Sequence, residues 1–531
     1  MSSEAQALPQ ATWQPTTTIN PWVIALTVTL ATFMEVLDTS VANVALPHIA
    51  GSLSASTDES TWILTSYLVS NAIVLPMSGW FSSLIGRKRF YMSCVLLFTI
   101  SSLMCGLAPS LGALIFFRVL QGVGGGGLQP SEQAILADTF PPRQRGMAFA
   151  VYGMAVVLAP AIGPTLGGWI TDNFDWRWIF FINIPVGIIS LFLTNMLITD
   201  PPYVKERSSK STFSIDYIGL GLLAVGLGTL QVVLDKGERD DWFESRFIIW
   251  MSAVALIALV GTLIWEWNHD HPIIDLRLFK DRSFAIGNLL MFMVGFALLS
   301  STVLLPLFLQ TLLGYTAKEA GLSLMPGGFV IMAAMPLVGF LLSRYDARKM
   351  LLFGLVVVSL SLFNLARINL NIDFRTAAEA RAFQALGLAF LFVPINTIAY
   401  AALPREKNNA ASGLINLSRN IGGSLGISMV TTMLSRRTQF HQENLAGHIN
   451  AGSLQTQQAL ANITHLLVSK GISAADASHQ AYAFLQNSLL RQATVLAYID
   501  DFWVLGIAVA VMVPFVFLMK RAKPGGPMAA H

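Results

Sequence analysis

Glu35 and Asp38 lie three residues apart inside one long apolar run, so a helix there carries both carboxyls on one face. Arg118 follows Leu114-Ile115-Phe116-Phe117 in a second apolar run, Glu132 sits further along it, and Arg419 interrupts a third. Ionisable groups in lipid-shielded helices are costly, and where they persist they mark ion paths, proton relays or substrate contacts. The proton affinity of a carboxyl depends on burial and on neighbouring charge, so a helix motion that changes either one moves a proton. Each residue also has a structural alternative. Asp38 could be a packing acid, Arg118 and Arg419 could be braces, Glu35 could line a wet vestibule, and Glu132 could snorkel toward an interface.

The elements that must hold these groups follow from composition. Of 531 residues, 54% are hydrophobic and 12% charged, against about 25% charged in an average soluble domain. Runs of roughly 20 apolar residues cross a hydrocarbon core as helices. Fourteen such spans are predicted, at 22–46, 62–82, 90–108, 111–136, 147–170, 178–199, 214–234, 247–268, 284–311, 321–343, 350–368, 380–403, 411–433 and 502–520. An even count puts both termini on one side. Basic residues crowd the even-numbered loops (Arg87, Lys88 and Arg89; Lys205, Arg207 and Lys210; Arg344, Arg348 and Lys349), which predicts cytoplasmic termini. Arg381 is assigned to an odd-numbered, outer loop. The long 435–500 segment then lies outside and reads as soluble and helical.

On this layout Asp38 lies roughly 13 Å below the outer surface and Arg118 roughly 12 Å below it, at 1.5 Å per residue. The two can therefore sit at one level, and opposite charge is the cheapest neutralisation for either ion in low dielectric. An Asp38–Arg118 interaction that breaks on protonation is the expected coupling element.

Glycine patterns come next. Gly122 to Gly127 contains a formal GxGxxG, but it lies inside an apolar helix with no preceding strand, so close helix approach explains it better than a dinucleotide. No GxxxxGK[ST] occurs, which leaves no Walker site for an ATP-driven pump. Gly163-Pro164-Thr165-Leu166-Gly167-Gly168 predicts a bend and a tight contact near the outer end of the fifth span. Gly422 and Gly426 form a small-xxx-small pair. Cys94 and Cys105 would stand roughly 16 Å apart along one helix, too far for a disulfide. No metal-ligand cluster and no Ser/His/Asp arrangement is visible, and a net charge of +3 does not suggest a nucleic-acid partner.

Several segments together carry a resemblance. LDTSVANVALP at 37–47, GWFSSLIGRKR at 79–89, RVLQGVGGGG at 118–127, GPTLGG at 163–168, WRWIFFINIPVG at 176–187, LDKGERDDWF at 234–243 and HPIIDLRLF at 271–279 resemble the major facilitator superfamily. Within it they are similar to the 14-span drug:proton antiporters of the EmrB/QacA type, nearest the EmrB branch. The resemblance implies an all-α membrane protein with the major facilitator fold: 14 transmembrane helices in two six-helix bundles plus two linker helices. The implied divisions are an N-terminal tail (1–21), a first bundle (22–199), a linker pair (200–283), a second bundle with its periplasmic loop (284–520) and a C-terminal tail (521–531). It further implies an inner-membrane drug exporter, a secondary transporter rather than an enzyme. Protons would be the coupling ion and there would be no cofactor. Asp38 would be the first-span acid and Arg118 the fourth-span arginine, with Glu35 and Glu132 as further proton-coupling candidates. Gly163, Pro164, Gly167 and Gly168 would form the gating motif, and Arg87 and Arg419 would be structural charges. A periplasmic membrane-fusion adaptor (EmrA-like) and an outer-membrane channel are the implied partners. Ser83 stands where the motif after the second span usually has an acid, which leaves Arg87 without its usual bridge.

A ligand cavity is expected between the bundles near mid-membrane. Phe33, Tyr67, Phe292, Phe296, Phe392, Asn396 and Tyr400 are the candidate lining groups, with helix packing as the alternative for each. A nutrient or siderophore symporter on the same fold, and a non-transporting scaffold or sensor, are the competing functions.

Overall fold

A computed structural model describes residues 19–141, 143–200, 216–269, 272–401, 403–449 and 453–520. The predicted tails at 1–18 and 521–531, and the basic residues Lys205, Arg207 and Lys210, lie outside the described residues. The described residues contain helices and no strands.

Membrane-length helices run in order: α1 (Pro21–Ser52), α2 (Trp62–Ile85), α3 (Arg87–Gly106), α4 (Leu111–Thr139), α5 (Arg145–Asn173), α6 (Trp178–Leu197), α7 (Tyr217–Lys236), α8 (Arg246–Asn268), α9 (Arg282–Leu313), α10 (Lys318–Leu342) and α11 (Ala347–Leu365). Then come α12 (Phe374–Ala401), α13 (Asn408–His448), the shorter α14 (Leu454–Ser469) and α15 (Ala474–Val511). Thirteen helices among the described residues are long and apolar enough to cross a membrane. The remaining predicted span, 411–433, falls within α13. That helix is too polar to count on composition because Asn416, Arg419, Asn420 and Ser424 lie along its inward side. It nonetheless packs along α9 and α15, which are both membrane-length.

Local sequence sets the ends. Asn20 caps α1 by accepting from Trp22 N, with Pro21 at the first turn, where a missing donor costs nothing. Gly86 turns the chain between α2 and α3 with φ +90, a conformation that disfavours any Cβ. There Asp200 Oδ1 accepts from Lys88 N at 2.8 Å. Two corrections follow at the C-terminal end. The outer segment 435–500 is helical as expected, but the span ends were misplaced, since α13 continues to His448 and α15 begins at Ala474, far ahead of the predicted start at 502. Arg381 is not in a loop: it lies inside α12 and is buried.

Packing among the first six helices pairs α1 with α5 and α2 and α3 with α4; among the later ones it pairs α9 with α13, and α10 and α11 with α12. These groups meet where α5 lies on α10 and α2 on α13. α7 and α8 form a hairpin, with α7 against α2, while α8 leaves Trp250, Leu256 and Ile257 exposed. Exposed apolar side chains on a membrane-length helix are what lipid contact requires. Glycines set the closest approaches. A Cβ at Gly295 would lie 2.0 Å from Arg419 O, and one at Gly422 would lie 2.1 Å from Phe292 O, so α9 and α13 touch backbone to backbone. The glycine run of α4 serves the same end: a Cβ at Gly122 would meet Tyr67 O at 2.4 Å and one at Gly124 would meet Phe98 N at 2.7 Å. Both cysteines are free and buried in α3.

Candidate substrate and proton site

The bottom of the site is a charge pair. Arg118 Nη1 donates to Asp38 Oδ2 at 2.5 Å, and both side chains are 1% exposed or less. Asp38 Oδ1 accepts from Gln121 Nε2 at 3.0 Å and from Asn183 Nδ2 at 2.7 Å. Arg118 also donates through Nη1 to Gln121 Oε1 at 2.9 Å and through Nε to Ile63 O at 3.1 Å. Its Nη2 has no hydrogen-bond partner, and the guanidinium lies 4.3 Å from the Tyr67 ring centroid. A broken buried pair leaves a bare ion and costs several kcal/mol. Four helices (α1, α2, α4 and α6) therefore converge on one charge pair, in which neutralising the carboxylate would release the guanidinium.

One turn back along α1, Glu35 has no cationic partner at salt-bridge distance among the described residues. Oε1 accepts from Tyr67 OH at 3.0 Å and Asn71 Nδ2 at 3.3 Å; Oε2 accepts from Gln129 Nε2 at 2.7 Å. Gln129 passes the contact across the molecule. Its Oε1 accepts from Tyr152 OH at 3.0 Å and from Arg419 Nη2 on α13. Glu132 is fully buried; Oε1 accepts from Thr29 Oγ1 at 2.6 Å, and Oε2 is unpartnered. It does not snorkel.

Between the two halves is a cavity of roughly 320 Å³, lined by Glu35, Tyr67, Arg118, Arg381 and Arg419 on a mostly apolar wall that includes Leu298 and Ile331. Asp38 sits behind Arg118 and does not line it. A wider apolar depression beside Trp242, Met429 and Phe440 lies outside the bundle and holds none of the buried acids. Of the seven predicted lining residues, only Tyr67 lines the cavity. Phe33 packs against an apolar cluster that includes Leu37, Val41 and Leu114. Phe292 and Phe296 stack on each other, 6.5 Å between centroids, on α9 where it meets α13. Phe392 lies against Tyr152 at 5.7 Å, and Tyr400 stacks on Phe149 at 5.2 Å. Asn396 Nδ2 donates back to Phe392 O at 2.8 Å. For Phe392, Asn396 and Tyr400 the reason is a closed layer. Tyr400 OH donates to Gln133 Oε1 at 2.7 Å, and Asn416 Nδ2 donates to the same oxygen at 3.1 Å. The halves are zipped together there, on the side bearing the α1 N-terminus, and the cavity lies beyond the zip.

Arg87 has a partner despite Ser83. It pairs with Asp138 at the end of α4, and Asp138 Oδ1 accepts from Asn408 Nδ2 at 3.0 Å. The acid comes from a different helix than the motif led one to expect. In the gating segment, Gly163 and Gly167 face α1: a Cβ at Gly163 would lie 2.2 Å from Ser40 Oγ, and one at Gly167 would lie 3.1 Å from Val41 O. Pro164 reaches α10 near Gly321. A Cβ at Gly168 would meet nothing within 4 Å, so no close approach requires a glycine there.

Gln121, Asn183, Gln129, Tyr152 and Arg381 were missed by sequence reasoning. Arg381 had a usable signal. Arg381-Ala382-Phe383-Gln384 repeats the spacing of Arg118-Val119-Leu120-Gln121, and in a chain expected to hold two six-helix bundles such a repeat is meaningful.

An all-helical membrane bundle with a charged cavity between two halves defines a multi-pass transporter class. Residues 28–427 match the family model described as Major Facilitator Superfamily, and the chain belongs to that family. Within it the chain is of the EmrB type and is not an enzyme. It is 35% identical to the multidrug export protein EmrB of Escherichia coli (strain K12), over 96% of this chain and 98% of that one. It is 36% identical to the fatty acid resistance protein FarB of Neisseria gonorrhoeae, over 94% and 96%. Among solved structures, the proton:xylose symporter XylE bound to 6-bromo-6-deoxy-D-glucose aligns with TM-score 0.62 at 14% identity, covering 95% of this chain and 97% of that chain. At that identity the likeness speaks to fold alone.

Proposed function

We propose that this protein is a proton-coupled exporter of amphipathic drugs, residing in the bacterial inner membrane with both termini cytoplasmic. The observation that carries this reading is the buried Asp38–Arg118 pair, whose guanidinium is shared between the carboxylate and the cavity wall. A proton on Asp38 removes the charge that holds Arg118, and the freed guanidinium then changes both the cavity and the contacts of α1 with α4 and α6. Glu35, joined through Gln129 to Arg419 on α13, gives the second half a way to sense the first. The names of the EmrB and FarB relatives support export of toxic amphipaths. The apolar wall agrees with such cargo, since recognition by area and a few polar handles tolerates varied ligands. The far-side extensions of α13 and α15, with α14 between them, are where a periplasmic adaptor would dock, in line with an outer-membrane channel beyond it. The symporter alternative is tested directly. Proteoliposomes under an imposed pH gradient should move an uncharged amphipathic dye against the direction of proton flow; movement of dye with the protons would refute the antiport reading.

A further inference from the structure

The second half of the molecule contains a copy of the Asp38 site with the acid left out. In the first half, Arg118 is held by an acid on α1, the first helix of that half, and by Gln121 one turn along its own helix. In the second half, Arg381 occupies the equivalent helix, α12. Its Nη1 donates to Gln384 Oε1 at 2.6 Å, one turn along, and to Ser301 Oγ at 3.0 Å on α9, the first helix of that half. Its Nη2 donates to Thr302 Oγ1 at 2.7 Å, and Gln384 Nε2 donates to Ser301 Oγ at 3.0 Å. Ser301 thus stands where Asp38 stands, and every partner of Arg381 is neutral. No salt bridge to Arg381 exists among the described residues, where the acid nearest in sequence, Glu379, is exposed and paired with Arg375. Arg381 is 7% exposed yet lines the cavity. A buried guanidinium without a counter-ion is costly, and its fork geometry suits a planar carboxylate. Across the cavity, Arg419 adds a second cation held only by neutral groups, namely Gln129, Tyr152 and Asn420.

We infer that Arg381 is the anchor for an anionic headgroup, so that an amphipath bearing a carboxylate supplies from outside the negative charge that Asp38 supplies from within. The apolar tail of such a cargo then lies against Leu298, Leu299 and Ile331. The carboxylate replaces its water shell with the guanidinium fork, and the guanidinium gains the counter-ion that its helix neighbours do not provide. This rests on the transporter reading above and specifies its substrate class.

The test is calorimetric titration of the purified full-length protein with 2-naphthoate and with its uncharged isostere 2-naphthamide. The wild type should prefer the carboxylate by about ten-fold or more, the scale of a charge-assisted hydrogen-bond pair. Arg381→Gln should erase that preference, and Arg381→Lys should retain part of it. Ser301→Asp fills the half-site from within and should abolish naphthoate binding while naphthamide still binds, which separates loss of the anchor from loss of the fold. A wild type that binds the two probes equally, or a preference that survives either Arg381→Gln or Ser301→Asp, overturns the inference. Proton-driven efflux of the uncharged dye by the wild type is scored separately, so failure of the transport reading and failure of the anchor are told apart.

Discussion

At the scale of single residues, neutral amides hold the buried acids: Gln121 and Asn183 donate to Asp38, and Gln129 donates to Glu35. Asp38, Glu35, Arg118 and Arg419 stand out because an ion in an apolar run violates the composition around it. Gln121, Asn183 and Gln129 do not, yet they hold the acids in place, and a neutral amide in a helix gives no warning of that role. Arg381 was misread because Asp373, Arg375 and Glu379 precede it and make its helix start look like a loop. Arg87 shows the reverse case, in which the motif's missing acid is replaced by Asp138 from α4. Arg87→Gln removes the cation paired with that buried carboxylate, and breaking a buried pair costs about 3–5 kcal/mol. Thermal unfolding in detergent should show a marked loss of stability, with much of it recovered in the Arg87→Gln, Asp138→Asn double variant. Equal stability of wild type and single variant would mean that the pair contributes nothing.

Helices were legible as elements because length and apolarity decide them, and their contacts were legible only where glycine marks a close approach. The gating segment illustrates how far that goes. Sequence pointed to all of Gly163, Pro164, Gly167 and Gly168, but a close approach to a neighbouring helix occurs only at the first three. Gly163→Ala should push α5 off α1 at Ser40, with an overpacking cost of about 1–3 kcal/mol and a clear drop in efflux rate. Gly168→Ala should be indistinguishable from wild type. Dye efflux from cells expressing equal amounts of each variant decides this, and an inactive Gly168→Ala beside an active Gly163→Ala would reverse the assignment. Helix ends were the weaker part. The 435–500 segment has the polar composition of a loop but the propensity of a helix, so α13 and α15 run well past where apolarity stops.

For the whole molecule, the two-half plan was implied by the family resemblance, whereas the cavity lining was not legible. Which residues face a cavity depends on which side of an alternating-access protein is shut, and one sequence encodes both arrangements. Phe392, Asn396 and Tyr400 belong to the layer that is closed in this conformation. The same layer brings α2 onto α13, where a Cβ at Gly79 would lie 3.1 Å from that of Ala410. Gly79→Ala should therefore press α2 off α13, with an overpacking cost of about 1–3 kcal/mol read in thermal unfolding; stability equal to wild type would show that the layer does not close so tightly there. The central claim is that Asp38 exchanges its proton against Arg118 as the halves move. The most direct measurement is internal pH recorded alongside drug flux in proteoliposomes bearing Asp38→Asn. The account predicts folded protein that still binds drug but moves neither drug nor protons against a gradient; coupled drug and proton fluxes equal to wild type would contradict it.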